Sequence, residues 1–70
     1  MYLHKNITYL REQKGISNRK MASEMNVSSA VVYAIEHKES KGTRLETVMK
    51  VAEYFGVSLD DLVYKDLSVS

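Results

Sequence analysis

Apolar residues recur at helical spacing in five successive segments of the 70-residue chain. In the first segment, Leu3, Ile7 and Leu10 stand at positions i, i+4 and i+7, which places them on one face of a helix. The later segments have their own apolar positions: Met21, Ala22 and Met25; Val32 and Ile35; Leu45, Val48, Met49, Ala52 and Phe55; Leu59 and Leu62. This pattern predicts an all-α fold of five helices.

Residues typical of helix ends separate these segments. Gly15 and Gly56 follow the first and fourth segments, where a glycine can close a helix in the left-handed conformation. Ser17, Ser28, Thr43 and Ser58 precede the four later segments, and their hydroxyls suit the N-cap position. These signals predict a second helix at about 18–25 and a third at about 29–36.

The second and third helices would be joined by a tight turn at Asn26 and Val27. Asparagine tolerates the left-handed backbone better than most residues, and the turn would point Val27 inward. The small Ala22 lets the third helix cross close to the second. Two helices joined in this way form a helix-turn-helix unit.

The spacing of six residues in this unit resembles the phage-repressor family, the Cro and lambda-repressor-like or XRE-type DNA-binding domains: Asn18, Ala22, Asn26, Val27, Val32 and Ile35. Further segments extend the resemblance over about residues 3 to 64: LREQKGIS, IEHKES and LETVMKVAEYFGVSLDDLV. The resemblance implies a compact five-helix lambda-repressor-like domain over residues 1–66, with a short C-terminal tail at 67–70. It also implies a small transcriptional regulator, most simply a repressor, that binds specific sequences of double-stranded DNA.

In that family the third helix lies in the major groove. The resemblance places base contacts at Ser29, Ala30, Tyr33 and Ala34. These side chains offer single hydrogen bonds and methyl contacts rather than bidentate pairing, so we expect sparse readout that favours thymine, supplemented by DNA shape. The alternative is that this helix has lost DNA binding and meets a protein.

The resemblance also implies phosphate contacts and one structural ion pair. Arg19 and Lys20 lie in the first turn of the second helix, where a cation opposes the helix dipole unless an anion such as phosphate lies nearby. The expected phosphate contacts are Asn18, Arg19, Lys20, Ser28, Lys38, Lys41, Thr43 and Arg44. The expected ion pair joins Arg11 to Glu36. For the charged side chains, the alternative is an ordinary solvated surface.

Charge is unevenly distributed along the chain. Nine basic and five acidic side chains give residues 1–50 a net charge of +4, whereas residues 51–70 have a net charge of −3 and the whole chain +1. A protein with one basic end can bind a polyanion despite a nearly neutral total, although a small chain can also show such an imbalance by chance.

Composition excludes several classes of protein. The chain has no cysteine, which rules out a disulfide scaffold or a thiolate metal site. His4 and His37 have no partner at ligand spacing, and no glycine-rich phosphate loop follows a strand. We therefore expect neither enzyme activity nor a cofactor or metal. With no long apolar run and no signal-like N-terminus, the expected location is cytoplasmic and nucleoid-associated.

Tyr64 and Leu67 are apolar residues left over near the C-terminus. Because helix 5 often supplies a two-fold contact in the family, we expect a weak or DNA-assisted homodimer that binds an inverted-repeat operator. Two alternatives remain open: an antitoxin-type DNA-binding protein whose acidic C-terminal end docks on a toxin, and a protein-interaction module on the same fold. For the transcriptional regulator, we expect control by its concentration or by a regulatory protein partner.

Overall fold

A computed structural model of the chain describes residues 2–37 and 44–69. These residues form five helices, α1 (Leu3–Lys14), α2 (Asn18–Met25), α3 (Ser29–Glu36), α4 (Leu45–Phe55) and α5 (Leu59–Tyr64). No strand occurs among them, so the predicted all-α class is confirmed. Within the same ranges, no helix combines the length and the apolarity needed to cross a membrane.

Three of the four predicted N-caps are present. The hydroxyls of Ser17, Ser28 and Ser58 each accept a hydrogen bond from the backbone N–H three residues further on, at 3.0–3.3 Å. Each bond satisfies a donor that the first helical turn leaves without a partner. Helix α4 differs, since its N-cap is Arg44 and no side chain caps it. The predicted cap Thr43 lies outside the described residues.

Left-handed residues end three of the helices. Gly15 and Gly56 have φ angles of 70° and 69°, as predicted from their positions after α1 and α4. Asn26 ends α2 with φ 60° and is the one non-glycine residue of the described chain with positive φ. Its N–H bonds to carbonyls of the last turn of α2, which closes that helix and turns the chain sharply into α3.

The core lies where α2 and α3 cross, with α1 packed on α3, α4 packed on α2, and α5 packed on α1 and α4. Ala22 is 3% exposed, and Met21 and Val32 are fully buried on either side of the crossing. The buried apolar residues are Leu3, Ile7, Met21, Ala22, Met25, Val32, Ile35, Val48, Val51, Ala52 and Leu62. The sequence predicted most of this set because the first three helices each have only one apolar face.

The predicted core face of α4 was partly wrong. Leu45 and Met49 are 64% and 53% exposed, whereas Val51, which the apolar pattern left out of the core, is fully buried. Helix α4 has apolar residues on more than one face. The predicted stripe, Leu45, Val48, Met49 and Ala52, has the same helical spacing as the stripe that is buried, Val48, Val51 and Ala52. Packing against α2 and α5 decides between them.

Asn6, a fully buried polar residue, fastens the C-terminal end of the chain to α1. Its amide nitrogen donates to the carbonyls of Leu62 at 2.7 Å and Lys65 at 2.5 Å. Its amide oxygen accepts from the N–H of Leu67 at 2.9 Å. These bonds hold the chain against α1 beyond the end of α5.

Candidate nucleic-acid interface

An open groove lies between the first turn of α2 and the outward face of α3. Its volume is about 580 Å³. Six residues line it: Asn18, Arg19, Ser29, Ala30, Tyr33 and Ala34. All four residues from which we expected base contacts therefore share one surface, together with two of the expected phosphate contacts.

The lining of the groove is small and mostly neutral. Ser29 and Ala30 are exposed in the first turn of α3, and Ala34 is half-buried one turn later. Tyr33 is 52% exposed and is the one large side chain on this face of the helix. The available chemistry is two hydroxyl groups and two methyl groups, which suits single hydrogen bonds and contact with a thymine methyl.

Exposed cations border the groove on the α2 side. Arg19 lines it directly and is exposed. Lys20 is also exposed, and its Nζ lies 3.8 Å from a carboxylate oxygen of Glu24. A solvent-exposed pair of this kind contributes little, so Lys20 can exchange Glu24 for another anion at small cost.

The other expected phosphate contacts lie beyond the ends of α3. Ser28 precedes α3, where its oxygen accepts from the Val31 N–H, so its own O–H remains available as a donor. Arg44 is exposed just before α4. The remaining three, Lys38, Lys41 and Thr43, lie outside the described residues.

A buried carboxylate at the end of α3 joins three helices. The Glu36 side chain is 2% exposed, and Nε of Arg11 donates to its two oxygens at 3.1 and 3.0 Å. Thr8 donates its hydroxyl to the same carboxylate at 2.8 Å, and the Asn18 amide donates to it as well. The ion pair implied by the resemblance is thus one part of a larger cluster from α1, α2 and α3.

This cluster and a histidine fix the last turn of α3 against α1. Besides Glu36, the Arg11 guanidinium reaches the carbonyl of Ile16, to which it donates at 2.9 Å. The His4 ring donates through Nδ1 to the carbonyl of Ile35. Because Ile35 and Glu36 of α3 bond to side chains of α1 and α2, these two helices set the direction in which α3 presents its outer face.

Sequence reasoning missed three participants, namely Thr8, His37 and His4, whose ring bonds to the Ile35 carbonyl. Thr8 was not singled out, although it stands one turn before Arg11 and so shares its side of α1. His37 was treated as an isolated surface residue, but its ring stacks on Tyr33, with ring centroids 3.9 Å apart and 14° between the planes. The spacing of four residues, from the last turn of α3 to its C-cap, was the signal that could have indicated the stack.

An apolar groove of about 400 Å³ lies on a different face, between α4 and α5. Its lining residues are Leu3, Leu45, Val48, Leu59, Asp60, Val63 and Tyr64. Tyr64 is 73% exposed and Leu45 is 64% exposed. Leu67, the other residue expected at a dimer contact, is half-buried and has its N–H bonded to Asn6.

The shifted pKa values lie away from the groove, at two surface pairs. Tyr54 of α4 donates its O–H to Glu24 of α2, and this bond is the main reason why the pKa of Glu24 is lowered. Burial, followed by the neighbouring carboxylate, raises the pKa of Tyr54 to about 12. At the other pair, the bond from Lys5 at 2.7 Å lowers the pKa of Asp66. The first pair joins α2 to α4, the second joins α1 to the chain just after α5, and neither borders the groove.

Metal coordination has no support in this part of the chain. Among the described residues, no group of three or more histidine, aspartate or glutamate side chains could hold a metal ion. The groove lining contains no carboxylate and no imidazole. The groove offers hydrogen-bonding groups, two methyl groups and the positive charge of Arg19.

Comparison with known families agrees with this geometry. A helix-turn-helix family model matches residues 7–62, which is most of the chain and includes all of α2, α3 and α4. Neither the comparison with curated proteins nor the comparison with solved structures found a match. The matched segment includes the helix pair, the groove and the Glu36 cluster. The chain therefore belongs to the Cro/C1-type (XRE) helix-turn-helix family of DNA-binding regulators.

Proposed function

We propose that the protein is a sequence-specific repressor that inserts the first turns of α3 into the major groove of double-stranded DNA. The observation that supports this most is the groove between α2 and α3, where four exposed or half-exposed α3 residues meet the basic first turn of α2. In this geometry α2 crosses the DNA backbone while α3 reads base edges.

The proposed division of contacts follows from chemistry. Ser29 and Tyr33 donate or accept single hydrogen bonds, and Ala30 and Ala34 contact thymine methyls. The proposed phosphate contacts are Asn18, Arg19, Lys20, Ser28, Lys38, Lys41, Thr43 and Arg44. Phosphate contacts give affinity and register, whereas the α3 residues give the choice of sequence.

We further propose that two copies bind an inverted repeat as a homodimer. The apolar groove between α4 and α5, which Tyr64 lines, supports a protein contact on this face. Leu67, three residues after Tyr64 in the chain, is the second residue proposed for this contact. Two recognition helices would then lie about 34 Å apart, one turn of DNA. Sedimentation with and without operator DNA tests this, and a strict monomer in both conditions would exclude the dimer.

The direct experiment is selection of bound duplexes from a random pool at near-physiological salt. We expect an enriched palindromic motif. Its affinity should fall steeply with salt, because each phosphate neutralised by a cation contributes about 0.9 to the slope of log K against log salt concentration. A module that binds only proteins would enrich nothing, and an antitoxin would enrich a motif but would also bind the toxin encoded beside it.

Substitutions separate the two kinds of contact. Arg19→Ala and Arg44→Ala should each reduce the salt slope by about 0.9 and weaken all duplexes alike. Tyr33→Ala should weaken the selected duplex more than a scrambled one. Lys65→Ala is the matched control, since this exposed lysine lies beside the acidic α5, and its replacement should change neither quantity.

A further inference from the structure

Helix α3 lacks the side chains that identify a base pair by two hydrogen bonds at once. It runs from Ser29 to Glu36 and contains no arginine, lysine, asparagine or glutamine. Its one charged side chain, that of Glu36, is 2% exposed and is bound by Arg11 of α1. A bidentate pair discriminates between bases by roughly five- to 150-fold, and α3 has no residue that could form one with a guanine or an adenine.

The two groove residues that could form such a pair belong to α2. Asn18 is half-buried and donates its amide to Glu36. Arg19 lies in the first turn of α2, the helix that crosses the DNA backbone in the proposed geometry. Base edges in front of α3 are therefore contacted only by the hydroxyl and methyl groups of that helix.

The hydroxyl groups of Ser29 and Tyr33 do not separate thymine from cytosine. A hydroxyl can both donate and accept a hydrogen bond. At the place where thymine presents the acceptor O4, cytosine presents the donor N4–H₂. The same hydroxyl can satisfy either group, so a cytosine in place of a thymine leaves no polar group of α3 without a partner.

The methyl groups of Ala30 and Ala34 do make this distinction. The two alanines are four residues apart on the groove side of α3, where Ala30 is exposed and Ala34 is half-buried. Covering a methyl group corresponds to about fourfold in affinity. Thymine presents its C5-methyl group in the major groove, whereas cytosine has a hydrogen atom there. 5-Methylcytosine has its methyl group on the same ring carbon and so presents it in the same place.

We propose that, at the base pairs that face Ala30 and Ala34, the protein recognises the C5-methyl group of a pyrimidine and not the identity of the base. Duplex DNA that contains 5-methylcytosine in place of thymine is then a second class of ligand. The inference rests on the proposed function and deepens it, because methylation of a cytosine at such a position would strengthen binding.

The test varies one half-site of the selected duplex. Each thymine is replaced in turn by deoxyuracil, and each T·A pair is replaced by C·G or by 5-methylcytosine·G. At the two methyl-contact positions, deoxyuracil and cytosine should each weaken binding about fourfold. 5-Methylcytosine should restore most of the affinity that cytosine loses.

Glycine variants assign the effect to the two alanines. Ala30→Gly should abolish the preference for thymine over deoxyuracil at one position, and Ala34→Gly should abolish it at the other, so each variant is a control for the other. The preference is a ratio measured on one protein sample, so any loss of folded protein caused by a glycine within a helix cancels. Gln13→Gly, on the exposed side of α1, has the same helical cost and should keep both preferences.

Two results overturn the proposal while leaving DNA binding intact. One is that 5-methylcytosine binds no better than cytosine at every thymine position. The other is that both alanine variants keep the full preference for thymine over deoxyuracil. If the selected duplex is bound no better than a scrambled one, the proposed function itself is wrong.

Discussion

Two buried polar clusters hold α1 in the molecule, and they differ in charge and in the elements that they join. The cluster at Asn6 is neutral, and its partners are backbone groups of the chain's C-terminal end, at Leu62, Lys65 and Leu67. The cluster at Glu36 is charged, and its partners are the side chains of Thr8, Arg11 and Asn18.

The difference indicates what each cluster does. A buried amide that satisfies backbone groups fixes one segment against another and contributes to stability through bonds that would otherwise be unmade. A buried ion pair contributes little net stability, because desolvation of the charges offsets their attraction, but it specifies orientation. We therefore assign Asn6 to stability and the Glu36 cluster to the orientation of α3.

The largest effect is expected when one partner of the charged cluster is removed. Arg11→Met should lower the free energy of unfolding by about 3 kcal/mol, because Glu36 remains buried without its cation. The double variant Arg11→Met with Glu36→Leu should recover most of this loss, since apolar replacement of both partners is often neutral. Urea denaturation of the two variants provides the comparison.

The same double variant tests the role in orientation. We expect the double variant to be folded but to bind the selected duplex more weakly than the wild-type protein, because α3 is no longer held in place. The salt slope should be unchanged, since no phosphate contact is removed. Full affinity in the double variant would show that the cluster serves stability alone.

The neutral cluster should behave in the opposite way. Asn6→Leu removes the partner of the buried Leu62 carbonyl and of the partly buried Lys65 carbonyl and Leu67 N–H, and should cost roughly 2–3 kcal/mol of stability. The folded fraction should bind DNA as the wild-type protein does, as measured by titration well below the melting temperature. Gln13→Ala on the exposed side of α1 is the control and should change stability by less than about 0.5 kcal/mol.

Asn18 belongs to the charged cluster and also lines the groove, so its replacement gives a smaller, mixed effect. Asn18→Ala should cost about 1–2 kcal/mol of stability, since one hydrogen bond to a charged group is lost. In the wild-type protein, the second N–H of the Asn18 amide can donate to a phosphate. Ethylation of that phosphate in each half-site should therefore weaken DNA binding by the wild-type protein but not by the variant. An unchanged interference pattern would leave Asn18 with a role in positioning alone.

The smallest effect concerns a pair outside both clusters. Burial raises the pKa of Tyr54 to about 12, above its unfolded pKa near 10. The neutral tyrosine therefore contributes its full stabilisation of the fold below about pH 10, and this stabilisation is lost as the pH rises through about 12. In a spectrophotometric titration of the five tyrosines, one should ionise late. Tyr54→Phe should remove that late phase; if the late phase persists, another tyrosine is responsible.

The helix pair was predictable because its signals are local. The caps at Ser17 and Ser28, the turn at Asn26 and the single apolar face of each helix are all encoded within a few residues, and the structure confirms them. The groove residues followed from the same pattern, because a helix with one buried face must expose the other. Their roles in DNA binding stay a prediction.

The Asn6 cluster could have been suspected from the sequence but its partners could not. Asn6 stands on the apolar face of α1 between Leu3 and Ile7, which is an unusual position for an amide. Its partners are more than fifty residues away in the chain, and no local pattern indicates them.

The sequence by itself determined which segments are helical, where most of them begin and end, and which family the chain belongs to, because these depend on short-range spacing and on residue type. Tertiary structure alone decided which apolar stripe of α4 is buried and that Thr8 and Asn18 join Arg11 on Glu36. Such choices depend on which surfaces the packed helices present to one another, and several local patterns in this chain are compatible with more than one answer.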